Sequence, residues 1–167
     1  TSLDVRMKRY EAVSDVVLMR RTPVILRYDM CHGHTFTKGF EKPFDSIFMA
    51  TMQKTMEALC NDIQGAVFGY TQSDEITIVL CDYKTLETSA WFDNRLEKLC
   101  SVGASKASRY FNKFFIEVTE KAYNNKEVTD KMYEKYKSRY FTADFDCRAF
   151  NIPKEEVTNL VFWRQLD

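Results

Sequence analysis

Neither sign of charge is in excess in this sequence, because lysine plus arginine and aspartate plus glutamate number 24 each. This balance excludes a protein that attracts nucleic acid through its overall charge, so any site for a polyanion must be a local patch. No apolar run approaches the roughly 18 to 20 residues that cross a bilayer, and no signal peptide is recognisable. We therefore expect no membrane partner.

Cysteine pairs at the CxxC spacing of zinc and redox motifs are also missing. The five cysteines lie far apart, mostly within apolar runs, at positions 31, 60, 81, 100 and 147. This scatter is unlike a disulfide framework. It predicts reduced, mostly buried thiols, which are typical of a cytoplasmic protein.

The 167 residues that are present suit one packed domain. Hydrophobic residues make up 45% of the sequence and aromatic residues 14%, which favours a globular chain over a disordered one. No internal repeat or low-complexity tract divides the chain, so we expect a single domain over residues 1–167. Because the sequence starts without Met and stops just after FWRQL, we expect it to be a fragment, or the covered part, of a longer protein.

Hydrophobic periodicity predicts the order of the elements. Apolar side chains recur at helical spacing over residues 3–19, 44–63 and 91–123, the last with a small-residue middle, SVGASKAS. The runs typical of strands are PVILRYD, AVFGYTQ, EITIVLCDY and ADFDCRAFNIP. Residues 30–43 have the composition of a loop, and a last helix starts at Pro153.

This order, β-α-β-β-α-β with a helix at each end, is the ferredoxin-like split β-α-β pattern. The predicted fold is therefore of the mixed α/β (α+β) class, an antiparallel sheet with helices packed on one face. The third strand should lie beside the first, so that Asp29 at the end of one meets Asp74 and Glu75 at the start of the other. Carboxylates this close repel unless a cation lies between them. Either magnesium, held by carboxylates and substrate phosphates, occupies this edge, or Asp74 is an ordinary turn residue.

Four blocks of the sequence carry a resemblance to a known family. PVILRYD…HTFTKGFEKPFD, GYTQSDEITIVL, AWFDNRLEKL and FDCRAF…FWRQ resemble, in the same order, segments of the tRNA(His) guanylyltransferase-like 3′–5′ polymerases, in particular bacterial and phage-type members. The resemblance implies a palm domain like that of polymerases and nucleotide cyclases, using two magnesium ions to add nucleotides to the 5′ end of tRNA or another RNA. In the family, ATP or GTP first activates the 5′ end, which the 3′-hydroxyl of an incoming nucleotide then attacks.

The resemblance also assigns roles to individual residues. Asp29 and Asp74 match the catalytic, metal-binding carboxylates, and Met30 stands where the family contributes a backbone carbonyl to the metal. The implied nucleotide-binding residues are Asp29, Met30, Cys31, His32, Gly33, His34, Lys42, Asp45, Ser73, Asp74, Arg95 and Lys98. Among these, Lys42, Arg95 and Lys98 would neutralise phosphates, as phosphoryl transfer requires. The family further implies a homo-oligomer, either a dimer or a tetramer.

The sequence departs from the family pattern in three places. After Asp29, family members continue with Gly, a basic residue, a small residue, Phe and His, and only His34 fits. Met30 can supply its carbonyl only where the backbone does not need the φ freedom of glycine. Asn94 replaces an arginine, which removes one phosphate contact. Family members also continue beyond the WRQ block, so either that C-terminal segment is absent from this piece or the protein works without it.

Two other functions fit the same residues. One is a palm-type nucleotide cyclase or oligonucleotide synthase, which uses no RNA acceptor. The other is a nucleotide-binding domain that lost catalysis when Met30 replaced the glycine. Cys31, His32 and His34 have the ligand chemistry of zinc, but their spacing fits known zinc sites poorly. Cys31 as a nucleophile would need one of these histidines as its base.

Three further features each have a structural and a functional interpretation. Arg20, Arg21 and Arg27 either contact RNA phosphate or, for the first two, form a solvated helix end. The aromatic residues between positions 110 and 115 either stack on bases or belong to the core or a subunit interface. Asp146 and Arg148 alternate on one side of the last strand and are expected to form an ion pair.

Overall fold

The computed structural model describes residues 2–167. Its strands are β1 (Val24–Met30), β2 (Ala66–Gln72), β3 (Glu75–Leu80) and β4 (Phe145–Asn151). Its α-helices are α1 (Leu3–Ala12), α2 (Gly33–Phe36), α3 (Ser46–Asp62), α4 (Leu96–Asn124), α5 (Asp130–Lys137) and α6 (Val157–Leu166). Short 3-10 helices, Trp91–Asn94 and Lys154–Glu156, precede α4 and α6. No helix in the described part is long and apolar enough to span a membrane.

The four strands form one sheet in the order β2-β3-β1-β4, and each strand is antiparallel to its neighbours. Strands β1 and β2 are therefore parallel to each other, with α3 as their crossover and β3 inserted between them. This is the split β-α-β topology that the sequence predicts, and the predicted fold class is confirmed. The two-residue turn between β2 and β3, Ser73 and Asp74, also lies where it was expected.

The main core lies between the sheet and the helices α3 and α4. Alternate residues of β1, from Val24 to Met30, point into it, and α4 contributes a buried side chain about every fourth residue. The small-residue middle of α4 allows close packing: a Cβ at Gly103 would lie 3.1 Å from the hydroxyl of Tyr28 and 3.3 Å from Sγ of Cys147. The aromatic residues Phe111 and Phe115 are buried in this core, so they are not available to stack on bases.

The last helix, α6, packs on the opposite face of the sheet and departs from the expected one-face arrangement. Leu160 packs against Ile25 and Val79, and the ring of Trp163 lies 5.8 Å from the guanidinium carbon of Arg27. Residues 160, 163 and 164 share one face of a helix because they are spaced three and four apart. The contacts of that face determine the orientation of α6 on the sheet.

The first helix is shorter than predicted and ends at Ala12 rather than near Met19. The segment that follows is extended instead: Val17 forms a β-bridge with Arg95, and the amide of Leu18 donates to the carbonyl of Asn94 at 2.9 Å. These backbone groups are paired with a distant segment, so they cannot continue the helix. Residues of α1 itself are not buried.

One helix was not predicted, and one apolar residue is misplaced. Helix α2 lies within the stretch predicted as a loop, whereas α5 covers the run KMYEKYK, whose composition favours a solvated helix face. Phe44 was predicted on the apolar face of α3 but is 73% exposed, because α3 begins only after its N-cap, Asp45. All five cysteines are free and half-buried.

Candidate active site

The ends of β1 and β3 bring two predicted carboxylates to the same edge of the sheet. Asp29 on β1 is the cross-strand partner of Glu75 on β3, and the amide of Met30 donates to the carbonyl of Asp74 at 3.1 Å. Residues that face each other across antiparallel strands have Cβ atoms roughly 5 Å apart. The juxtaposition expected from the topology is therefore present, although the two residues are far apart in the sequence.

The Asp74 carboxylate lies over Gly33, the first residue of α2. A Cβ at position 33 would overlap Oδ2 of Asp74 and lie 3.0 Å from its Cγ. Gly33 has no left-handed backbone angle, so its role is to leave space rather than to permit an unusual φ. In this chain the Asp74 carboxylate fills the space that the missing side chain at position 33 leaves.

Glu75 is not free to bind a cation, because Arg164 already pairs with it. The guanidinium donates from Nε to Oε2 at 2.7 Å and from Nη2 to Oε1 at 2.8 Å, the geometry of a two-point arginine–carboxylate pair. Both side chains are largely buried, and the Glu75 carboxylate raises the pKa of Arg164. The sequence interpretation missed this pair. Its signal was the position of Arg164 four residues after Leu160 on the same helix face.

Asp29 has a weaker cationic neighbour. Nη2 of Arg148 lies 3.8 Å from Oδ2 of Asp29, and both side chains are partly exposed. The ion pair predicted between Asp146 and Arg148 is wrong, because Arg148 is the cross-strand partner of Arg27 and points diagonally to Asp29. A single exposed pair at this distance contributes little stability. The Asp29 carboxylate thus stays accessible.

The donor set at this edge fits magnesium better than zinc. Among residues 2–167 no three His, Cys, Asp or Glu side chains are grouped as a metal site. Magnesium needs fewer side chains, since it is usually held by one or two carboxylates with water and substrate phosphate completing its shell. Asp29 and Asp74 supply two hard carboxylates of this kind, and the space above Gly33 is filled by one of them.

The loop after β1 tolerates the residues that depart from the family pattern. Met30 is the last residue of β1 and pairs with Phe145, so its backbone is extended and does not need glycine. The left-handed residue of the loop is His32, with φ of 55°. Cys31 is half-buried, and burial together with nearby carboxylates, Asp146 foremost, raises the pKa of its thiol. A raised pKa does not suit a nucleophile or a zinc ligand, which must be thiolates.

A cleft of about 550 Å³ opens beside this edge, between α3, the loop before it and the β2–β3 turn. Its polar and charged lining residues include Lys42, Asp45, Gln53, Gln72 and Ser73. Its apolar lining residues are Phe40, Pro43, Phe44, Phe48, Met49 and Met52. An apolar cleft of this volume with a few convergent polar groups is typical of a small-molecule site.

Asp45 organises the loop that forms one wall of the cleft. It is buried, and its carboxylate accepts from the amides of Phe48 and Glu41 at 2.9 and 3.1 Å and from the Tyr136 hydroxyl at 2.6 Å. Burial and the Asp45 carboxylate together raise the pKa of Tyr136. With three protein donors on its oxygens, Asp45 shapes the loop before α3 and caps this helix. Lys42, three residues earlier, is exposed at the cleft.

Arg95 and Lys98, which were predicted to contact phosphates, lie at the other end of the sheet. The neighbouring Asn94 donates to the carbonyl of Met19, beside the start of β1, whereas Asp29 is at its end. Five strand residues separate these ends by roughly 16 Å. One chain therefore does not bring these two cations to the carboxylate edge. Asn94, which stands where the family pattern has an arginine, is buried. Its side chain links the 3-10 helix before α4 to the segment before β1 through the hydrogen bond to Met19.

Arg20 and Arg21, the candidates for RNA contact at the end of the first predicted helix, are paired within the protein. Nε of Arg20 donates to the buried carboxylate of Asp82 at 2.6 Å, and the amide of Arg21 donates to the same carboxylate at 2.9 Å. The guanidinium of Arg20 also donates to the carbonyl of Thr88. These contacts give the Arg20 side chain a structural role, whereas Arg21 is held through its backbone amide and its side chain is exposed.

The antiparallel sheet, the carboxylates at one edge and the adjoining cleft define a palm-type domain. A model of the tRNAHis guanylyltransferase family matches residues 4–153. The chain therefore belongs to this family, whose named activity is that of a nucleotidyltransferase.

Individual relatives agree with this assignment. An uncharacterised protein of Acanthamoeba polyphaga mimivirus is 33% identical over 96% of this chain and 56% of its own length. The tRNA(His) guanylyltransferase 2 of Arabidopsis thaliana is 26% identical over 90% of this chain and 25% of its own length. The chain thus spans about half of the viral relative and a quarter of the plant enzyme.

Solved structures show the same fold. A bacterial tRNA(His) guanylyltransferase-like protein in complex with ATP is 41% identical, with a TM-score of 0.84 over 100% of this chain and 65% of that one. The complex of such a protein with GTP gives the same TM-score and identity over 99% of this chain and 71% of that one. The enzyme from Saccharomyces cerevisiae is 21% identical with a TM-score of 0.68, a likeness of fold alone.

Proposed function

We propose that this protein is a metal-dependent nucleotidyltransferase that adds nucleotides to the 5′ end of tRNA in the 3′–5′ direction, after a nucleoside triphosphate has activated that end. The observation that carries the proposal is the placement of Asp29 and Asp74 together at one sheet edge, beside a cleft of about 550 Å³ that contains Lys42 and Ser73. The bacterial relatives in complex with ATP and GTP support nucleoside triphosphates as the small-molecule substrates.

Asp29 and Asp74, with the carbonyl of Met30, would hold two magnesium ions. When bound, magnesium supplies neutralisation of the triphosphate and of the attacking and leaving oxygens. The protein itself fixes where the two carboxylates stand. Antiparallel pairing sets the Asp29 position, and the turn after β2 together with the space over Gly33 sets that of Asp74. Such preorganisation is the main contribution that a protein makes to phosphoryl transfer.

The cleft would hold the nucleotide with its base between apolar side chains and its phosphates toward the carboxylates. Lys42 is the exposed cation of the cleft, and Ser73 lies in the turn immediately before Asp74. Gln53 and Gln72 offer amide groups to a base edge. Asp45 would act on the nucleotide indirectly, by holding the Lys42 loop through its three hydrogen bonds.

The acceptor, the assembly and the location belong to the same proposal. The family name supports tRNA as the acceptor. A homo-oligomer would give Arg95 and Lys98 a role, since another copy could present them to a nucleotide that their own chain holds too far away. Reduced thiols fit the cytoplasmic location expected from the sequence.

The proposal is tested with labelled ATP and GTP and magnesium, with and without a tRNA that lacks its 5′-terminal nucleotide. Wild-type protein is expected to transfer label to the RNA 5′ end, and Asp74→Asn to abolish this transfer while leaving the fold intact. The matched control is Glu87→Gln, which removes an exposed carboxylate from the loop after β3, at the other end of that strand from Asp74. It is expected to retain most of the transfer.

The outcomes separate the proposal from its two rivals. Product that forms from nucleotide alone, without RNA, indicates a cyclase or oligonucleotide synthase. Tight nucleotide binding with no product under any condition indicates a nucleotide-binding domain without catalysis. Equal transfer by wild type and Asp74→Asn contradicts the assignment of this carboxylate.

A further inference from the structure

We infer that Arg164 is a positioning residue for the metal-binding carboxylates, acting through Glu75. This inference rests on the proposed function, since it concerns the same sheet edge. It assigns a role to a residue of the last helix that touches neither the cleft nor Asp29 or Asp74.

The role of Arg164 starts from Glu75, which lies beside two other acids. Glu75 follows Asp74 directly and faces Asp29 across the strands, so it brings a further carboxylate to an edge where magnesium needs only one or two. Glu75 is also buried, with 9% of its surface exposed. A buried carboxylate without a partner is strongly unfavourable, so Glu75 would have to turn toward solvent, neutralise or take a cation for itself.

Arg164 removes this conflict. Its two short hydrogen bonds occupy both oxygens of Glu75, and Asp167 holds the same guanidinium at 3.1 Å. The Trp163 ring lies 4.5 Å from the guanidinium carbon of Arg164. The pair therefore ties the first residue of β3 to α6, and the only residues between this anchor and the end of β2 are Ser73 and Asp74.

The consequence concerns Asp74. With Glu75 fixed and the Gln72–Glu75 pairing closing the turn, the Asp74 side chain lies over Gly33. Without the arginine, relief of the unpaired Glu75 charge moves the start of β3 and with it Asp74. Partners of this kind behind metal ligands typically cost about 10-fold to 100-fold in metal affinity or activity when they are removed.

The test measures Mn²⁺ affinity by electron paramagnetic resonance, together with the transfer assay, for the wild type and four variants. Arg164→Gln is expected to weaken Mn²⁺ binding and to lower kcat about 10-fold or more, while the KM for nucleotide stays close to wild type because Arg164 lies outside the cleft. Arg164→Lys keeps the charge and should retain part of the affinity. Glu75→Gln with Arg164→Gln removes both charges, and this double variant should bind Mn²⁺ better than Arg164→Gln alone.

The fourth variant is the matched control, Lys106→Gln. It breaks another partly buried ion pair of the same length, Lys106 to Asp62 at 2.7 Å, between α4 and α3. Its Mn²⁺ affinity should equal that of wild type. If Arg164→Gln fails to fold in a thermal melt, the comparison rests on Arg164→Lys and the double variant.

The inference and the proposed function fail in different ways. Wild type that binds Mn²⁺ but transfers no nucleotide defeats the proposed function, while the Mn²⁺ affinities still judge the role of Arg164. Unchanged or tighter Mn²⁺ binding in Arg164→Gln, or a loss of stability with no change in Mn²⁺ affinity, overturns the inference. So does a wild type that binds no Mn²⁺.

Discussion

The carboxylate of Asp74 occupies the space that a side chain at Gly33 would need. These residues lie 41 positions apart, one in the turn between β2 and β3 and the other at the start of α2. A Cβ at position 33 would overlap Oδ2 of Asp74, whereas the Asp74 backbone is held by its hydrogen bond from Met30. The site therefore depends on a missing side chain as much as on the acids themselves.

Gly33→Ala is expected to separate activity from stability. The new methyl group displaces only the end of the flexible Asp74 side chain, so the free energy of unfolding should change by less than about 1 kcal/mol. The displaced carboxylate leaves the position proposed for a metal ligand, and a shift of this size is expected to lower kcat about 100-fold. Denaturant unfolding and the transfer assay measure the two effects. Thr35→Ala, an exposed change in the same helix, is the control, and equal activity of both variants would contradict the prediction.

Lys42→Ala is expected to weaken nucleotide binding. Lys42 is the exposed cation that lines the cleft, and loss of a charge-assisted hydrogen bond to phosphate should raise the nucleotide dissociation constant about tenfold. Isothermal titration with a non-hydrolysable triphosphate measures the constant, and high salt should narrow the difference. Lys38→Ala removes a nearby exposed cation that does not line the cleft and should leave affinity unchanged. Parallel behaviour of the two variants would show that Lys42 has no specific contact.

Asp45→Ala is expected to lower the stability of the fold, and to change nucleotide affinity only as a consequence. It removes the N-cap of α3 and leaves the buried Tyr136 hydroxyl without its acceptor, which should lower the free energy of unfolding by about 2 to 4 kcal/mol. Asp45→Asn keeps the cap acceptor and should cost less than half as much. Denaturant melts give the comparison. If Asp45→Asn folds as well as wild type but loses nucleotide affinity, Asp45 contacts the nucleotide directly.

Lys98→Ala tests whether copies of the chain share a site. Lys98 is exposed at the far end of the sheet from Asp29, so in dilute protein its removal should leave nucleotide affinity unchanged. At concentrations where the chain self-associates, a phosphate contact from another copy predicts about tenfold weaker binding in the variant. The test is to measure nucleotide affinity across a dilution series of the protein, and to follow its self-association in the same series by sedimentation. A difference that persists unchanged at every concentration would mean that Lys98 reaches the nucleotide of its own chain.

The sheet and the placement of Asp29 and Asp74 followed from the sequence because both depend on local patterns. Alternating β-branched residues gave the strands, and the split β-α-β connection then left one place for β3. The segment after α1 was mispredicted as helix because the valines at positions 13, 16 and 17 fit a helical spacing. Its backbone is instead paired with residues 94 and 95, a contact that no local pattern reveals.

The pairing of charges was the least predictable part of the site. Asp74 and Glu75 are adjacent acids, and nothing in the local sequence indicates which of them forms an ion pair within the protein and which does not. The answer comes from Arg164, whose distance from Glu75 along the chain hides a contact of 2.7 Å. Arg95 and Lys98 show the opposite case. Their types suit phosphate, but α4 runs the length of the sheet and places its first turn far from the carboxylates.

Helix α6 covers part of the sheet face opposite α3 and α4, and leaves another part of that face exposed to solvent. Leu160, Trp163 and Arg164 cover β1 and β3 there, whereas Asp146 and Arg148 on β4 stay exposed. A polyanion that approaches Asp29 across β4 would therefore meet Arg148, an exposed cation 3.8 Å from that carboxylate, before it reaches the acid.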